Sequence, residues 1–452
     1  MGNIKLINVK SKDIIMFINF YKKNYFIIFT LILINTLFSQ NSSTIQFNTF
    51  PTNDDYWWLN NNNYGKQLSD TEIEYTFETH SNKTEYKVTI SNSFQDNDYV
   101  IDENGNIVDQ IIKGKKLSIG ESFVKHNFSE QTFIRIGKYY RDFSKYLNDD
   151  LSSGSMLISR NAQPMPKIGF VHKYTFNDKL DLEVGISHGV FERNNFYSKK
   201  APFLHEKFVY MNFKNNQNKF SVGFVHEAMW AGETENYGSF PSSIRDYFKI
   251  FISADGEQVQ GSPHANALGN HLGIWDFHYE RNINTEKIKI YYQHIFEDTS
   301  SLRFANKFDG LWGIELENFI KNHSILLEYL NTSHAYDNPP YQADRYYWNH
   351  QYRTGWSYEG NIIGNPYVNA NRSDDTNMTR LKDLTKLVHF GLNGKLSSIY
   401  YNIKTSRRIN SNDFIKYRIE VGKSVNNKLK VSLFVVNNSV NDGLGLSIFY
   451  SF

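Results

Sequence analysis

From about residue 42 onward the chain is divided into short stretches in which every second residue is apolar, each closed by Asn, Asp, Gly or Lys. Successive side chains of a β-strand point to opposite faces, so this spacing makes one oily and one polar face. Asn, Asp and Gly tolerate left-handed backbone angles and mark the turns between stretches. In LDLEVGIS, Leu180, Leu182, Val184 and Ile186 share one face, while Asp181, Glu183, Gly185 and Ser187 share the other. Asn177-Asp178-Lys179 joins this segment to KIGFVHKYTF as a hairpin. After the turn at residues 215–218, Phe220, Val222 and Phe224 align; after Asn426-Asn427, Leu429, Val431, Leu433 and Val435 do the same. No helical period of 3.6 is evident beyond residue 42, and no Pro/Gly/Ser-rich linker interrupts the pattern. The expectation is one all-β antiparallel domain over residues 41–452.

The last ten residues decide between a sandwich and a barrel. In GLGLSIFYSF, Leu444, Leu446, Ile448, Tyr450 and Phe452 form an apolar face that ends on an aromatic residue. Such a terminal strand resembles the signal read by the outer-membrane assembly machinery, whereas a soluble sandwich is the alternative. Composition favours the barrel. Aromatic residues make up 16% of the chain, yet the mean hydropathy is −0.53. A barrel meets lipid with only every second residue, so its average stays polar while its aromatic girdles raise Phe, Tyr and Trp. Only closure removes sheet edges inside lipid. A mature length of about 410 residues, at roughly 22–24 per strand and connection, gives a transmembrane antiparallel β-barrel of about 16–18 strands, 18 preferred.

One apolar run stands apart, Tyr25 to Phe38, with Lys22 and Lys23 before it and Ser39-Gln40-Asn41-Ser42 after it. This is the layout of a secretory signal peptide over residues 1–40, cleaved after Gln40, with Met16 as an alternative start. A single membrane anchor is the other reading, though the run is short for a full span. Net charge is +2, which gives no basic patch for nucleic acid. There is no cysteine, which excludes disulfides and thiolate metal sites.

The middle of the chain carries five further blocks: HEAMWAGE with His226 and Trp230, PSSIRDYFKIF from Pro241, and LGNHLGIWDF with Trp275 and Asp276; then YYQHIFEDTSSL with His294, Glu297 and Asp298, and YYWNHQYRTGWSYEGNIIGNP from Tyr346. In this order and spacing they resemble the capsule assembly protein family Wzi, over roughly residues 130–452. The resemblance implies an outer-membrane barrel of 18 strands acting as a lectin that holds capsular or exopolysaccharide at the cell surface. The family's small periplasmic helical plug has no matching pattern here. Residues 43–130 read as loop plus strands such as Thr84 to Ile90, which leaves the state of the lumen open.

Several side-chain groups bear on chemistry. His350, Arg353, Trp356, Tyr358 and Glu359 combine flat aromatic faces with planar hydrogen-bonding groups, and Arg pairs bidentately with sugar carboxylates. The alternative is that they fill the barrel interior and its interface. The stretch Ala335 to Trp348 holds Tyr341, Arg345, Tyr346, Tyr347 and Trp348; its two prolines keep it out of a central strand, and such loops face ligand. Glu297 and Asp298 are adjacent carboxylates, but neighbours on a strand point apart, which argues against paired acid–base work on a glycan. His264, His271, Asp276 and His278 match no metal-ligand spacing. Asp374 and Asp375 suit a calcium lectin or a solvated loop. No nucleophile elbow, phosphate loop or dinucleotide fingerprint is present.

The expectation is therefore a non-enzymatic surface lectin without cofactor or metal. Its partners are capsular or extracellular polysaccharide, outer-membrane lipid and the assembly machinery that reads Phe452. A porin for small solutes is the alternative.

Overall fold

The computed structural model describes residues 41–50, 56–66, 71–101, 107–256, 267–297, 299–334, 346–349, 351–368, 385–410, 414–437 and 441–452; of residues 94–116 it describes the backbone alone. Eighteen antiparallel strands close into one barrel. They are β1 (Asn41–Thr49), β2 (Thr71–His80), β3 (Thr84–Ile101), β4 (Ile107–Ile119, continuing as Ser122–Asn127), β5 (Thr132–Tyr139) and β6 (Met165–Asn177). Next come β7 (Leu180–Val190), β8 (Phe203–Lys214), β9 (Asn218–Trp230), β10 (Asn270–Ile283), β11 (Glu286–Phe296) and β12 (Gly310–Glu317). The last six are β13 (His323–Asn331), β14 (Lys386–Leu396), β15 (Ile399–Arg408), β16 (Lys416–Ser424), β17 (Leu429–Asn437) and β18 (Asp442–Ser451).

Each strand pairs with its sequence neighbours. The seam closes where β1 meets β18, with Thr44 opposite Ser451 and Thr49 opposite Leu446. The break in β4 falls at Gly120-Glu121, where the Gly120 N–H donates to Thr89 O at 2.9 Å and the chain resumes along β3. The two segments are thus one strand, and the count stays even. Beyond Ser93, where β2 stops, β3 and β4 pair only with each other up to Ile101 opposite Ile107, so this hairpin stands past the rim.

The alternation read from the sequence is the barrel's inside and outside. Leu433 and Leu444 are exposed on the outer wall, whereas Phe434 and Ser432 beside them are buried toward the lumen. On β7, Asp181 and Ser187 are buried on the inner face. Strands cross the membrane here, and among the described residues no helix is long and apolar enough to do so.

Every connection at one rim is a short turn, such as residues 178–179, 215–217 and 397–398, and both ends of the barrel chain lie at that rim. The long connections all leave the other rim. Outer-membrane barrels keep short turns on the periplasmic side and long loops outside, which orients the molecule.

The sequence reading found no helix, and the structure corrects this. An α-helix, Ile244–Ile252, sits in the β9–β10 connection. Ser243 caps it by accepting from the Asp246 N–H while the Asp246 carboxylate accepts from the Ser243 N–H, a reciprocal capping box. Its apolar arc is too broad to read as one stripe, because two different faces of this helix are apolar.

Candidate functional site

Three long connections turn inward and fill the lumen. The deepest is residues 140–164, between β5 and β6. Its buried side chains Phe143, Leu151, Met156 and Leu157 form one apolar core with inner-wall residues such as Val225, Ile274, Ile295 and Leu326. Polar wall residues grip its backbone and hydroxyls. The Asp276 carboxylate on β10 accepts from Ser144 Oγ at 2.5 Å, from Tyr210 Oη at 2.6 Å and from the Tyr146 hydroxyl. Gly223 makes room for the Tyr210 ring, since a Cβ there would lie 2.2 Å from a ring carbon.

On β13, Glu328 accepts from Ser152 Oγ at 2.6 Å, Ser153 N at 2.7 Å and Tyr291 Oη at 2.5 Å. Gln293 accepts from Met156 N at 2.9 Å. The His389 Nε2 lies 2.6 Å from Leu151 O, and Asn148 donates to Glu315 at 2.6 Å. Lys167 pairs with Glu206 at 3.0 Å and donates to Tyr140 O at 2.5 Å. These groups are buried in pairs or networks, and removing one partner strands the others.

Residues 346–349 and 351–368 lie over this segment. Tyr347 Oη donates to Met156 O at 2.5 Å, Asn365 Nδ2 to Gly154 O at 2.7 Å, and Ser159 Oγ to Gly364 O at 2.6 Å. Residues 56–66 complete the closure: Asn62 Nδ2 donates to Ser153 O at 2.6 Å, and the Trp57 ring stacks on Tyr367 at 4.2 Å. A polar cavity of about 310 Å³ remains between this closure and β3–β5, lined among others by Lys87, Glu121, Arg135, Arg141, Asp149 and Arg160. Burial raises the Asp149 carboxyl, but Arg141 and Arg160, 2.8 and 3.2 Å away, outweigh it and hold it below the usual range.

The residues singled out from sequence occupy several different settings. Tyr346, Tyr347, Trp356 and Tyr358 are buried within the closure, where their rings pack rather than face solvent. Arg353, Glu359 and Trp348 are half-buried. The Arg353 guanidinium lies 5.1 Å from the exposed Tyr237 ring, a residue that sequence reasoning passed over. Burial pushes Glu192 up to about 7; Glu359 adds to this against backbone hydrogen bonds at 192 and 359 and one from Asn194. Tyr341, Arg345, His350, Asp298, His264, Asp374 and Asp375 lie outside the described residues, as do residues 1–40.

Asp276 apart, the remaining candidates from those blocks, Trp275, His294, Glu297, His226 and Trp230, are on or near the outer wall. His294 stacks on Phe304 at 4.1 Å, and its Nε2 lies 3.0 Å from Ser301 O; Trp275 Nε1 donates to Leu302 O at 3.1 Å. Together they pin the connection 299–309 against the barrel, and the Glu297 N–H donates to Ser301 Oγ at 3.2 Å. In that connection burial pushes Asp309 up to about 6 against hydrogen bonds from Tyr346 and His334. His226 and Trp230 lie beneath the helix 244–252. His271 and His278 face opposite sides of β10, and among the described residues no three potential ligands converge on a metal position.

Sequence reasoning named Asp276 but missed Lys167, Gln293, Glu315, Glu328 and His389. A signal was available, since each is a polar residue on the inward face of an alternating strand.

A closed barrel with an oily outer wall and a lumen filled by its own connections defines a protein of the outer-membrane β-barrel class. The family model described as capsule assembly protein Wzi matches residues 58–380, and the chain belongs to that family. Among solved structures it is similar to Pseudomonas aeruginosa OccK7, at 9% identity and TM-score 0.43, over 92% of this chain and 99% of that one. It is also similar to a Rhodopseudomonas blastica porin mutant, at 9% identity and TM-score 0.36, over 91% and 99% of the two chains. No curated protein matches it.

Proposed function

We propose that this protein is a non-enzymatic lectin of the outer membrane that holds capsular or extracellular polysaccharide at the cell surface. Residues 1–40 act as the export signal, and the strand ending at Phe452 is read by the assembly machinery. The observation that carries the reading is the filled lumen: a polymer holder needs an outer surface and no passage, whereas a solute channel needs the passage. Family membership supports the capsule-related role.

On the outer side, Arg353 with the exposed Tyr237 ring offers a planar cation for sugar carboxylates and a flat face for sugar C–H groups. Glu359 and Trp348 lie in the same connection, and Tyr341, Arg345 and His350 belong to it in sequence. The buried Tyr346, Tyr347, Trp356 and Tyr358 hold this surface in shape. Each contact is weak, and retention comes from many contacts along one polymer and across many barrels.

The test is surface polysaccharide on whole cells carrying the parent protein, the combined Arg353→Ala and Tyr237→Ala variant, or neither. Retention should fall severalfold in the variant at unchanged barrel yield. Equal retention in all three would end the proposal.

A further inference from the structure

The helix Ile244–Ile252 lies on the outside of the barrel, against the outer wall of β7–β10. Tyr247 and Ile250 face the wall. Tyr247 Oη lies 3.1 Å from His188 Nε2, and its ring packs on Trp230 at 5.6 Å. Ile250 is buried against Ala228 and Ala231. Gly269, with φ +95°, permits this approach, since a Cβ there would lie 2.7 Å from Ile250 Cδ1. Beneath the helix is an outward-facing polar group unusual for a lipid-facing wall. His188 opposes His205, with rings 5.0 Å apart; His226 Nε2 and His271 Nδ1 are 2.9 Å apart; Lys207 donates to Phe251 O at the helix end. Left uncovered, this group would face hydrocarbon at high cost.

Among the described residues, none packs on the second apolar face of the helix. Ile244, Phe248 and Ile252 recur every four residues and are 79%, 62% and 70% exposed, whereas Phe251 packs on His205 of the wall at 5.4 Å. Arg245 and Lys249 border this face along one edge. The exposed face continues downward into the bare outer wall of the same strands, where Val209, Met211 and Phe213 are also exposed. A broad apolar face, a basic edge and continuity with a lipid belt are the marks of a helix lying in a membrane interface.

We propose that this helix is an interfacial anchor seated in the outer leaflet, with acyl chains against Ile244, Phe248 and Ile252 and anionic lipid headgroups beside Arg245 and Lys249. It shields the histidine group and fixes the height of the sealed rim relative to the membrane. The proposal is independent of polysaccharide binding.

The absence of native cysteine makes a clean test possible. Phe248→Cys and Lys249→Cys are each labelled with an environment-sensitive fluorophore on the full chain, reconstituted in phosphatidylcholine–phosphatidylglycerol bilayers. Heat-modifiable mobility confirms the barrel, and Ile244→Cys replaces Phe248→Cys if that variant does not fold. A doxyl-labelled lipid should quench the label at 248 several times more strongly than aqueous iodide does, with the order reversed at 249. Iodide quenching at 248 without lipid quenching would overturn the proposal. Quenching by neither would place another protein surface on the helix and would overturn it as well.

Discussion

At the scale of single residues, the closure depends on a few inward-facing polar groups. Asp276 alone receives three hydroxyls from the lumen segment and from β8. Losing it leaves those hydroxyls buried without their charged acceptor, a local cost of roughly 2–4 kcal/mol. Asp276→Ala should therefore keep the barrel, judged by heat-modifiable mobility, while residues 140–164 become open to protease. A variant as resistant as the parent would mean that the apolar core holds the segment unaided.

Glu192 gives a pH prediction. Its carboxyl, ordinarily near 4.5, is raised to about 7 by burial, so the native connection prefers the protonated form. Its contribution is fully present below about pH 4.5 and is lost as pH rises through 7. Residues 191–202 should loosen at pH 8 relative to pH 5, read as protease sensitivity, and Glu192→Gln should remove the difference. Residue roles were the least legible part of the sequence. Tyr347 and Trp356 have a composition that suits a sugar-binding face, and only tertiary packing turns their rings inward.

At the scale of elements, the strands were legible because their period is local. The apolar faces read at Leu180–Ile186, Phe220–Phe224, Leu429–Val435 and Leu444–Phe452 are the lipid-facing wall. The same logic makes lipid-face and lumen-face substitutions unequal. Leu433→Arg, on the exposed outer face halfway along β17, should destabilise the barrel by about 2–4 kcal/mol in denaturant titrations in bilayers. Ser432→Ala, one residue away but facing the lumen and donating to Glu420 at 2.7 Å, should cost about 1 kcal/mol. Equal costs would contradict the assignment of faces. The helix 244–252 was missed although Ser243 and Asp246 form a capping box, because one of its apolar faces meets the barrel and the other is exposed. The lumen segment 140–164 was illegible for a different reason: it has no period of its own and takes its shape from the wall.

At the scale of the whole molecule, an N-terminal helical plug was not expected, and the lumen is nevertheless filled. Residues 56–66, residues 140–164, and residues 346–349 with 351–368 enter from the long-loop rim and interlock, so three distant parts of the chain do what a separate bundle would do. A barrel filled in this way should exchange little through its centre. The family assignment and the proposed polymer-holding role both agree with that arrangement. The most direct test is the conductance of the purified protein in planar bilayers. The intact chain should show no large steady open state, and Asp276→Ala combined with Glu328→Ala should open one. A large steady conductance from the intact protein would contradict the sealed barrel.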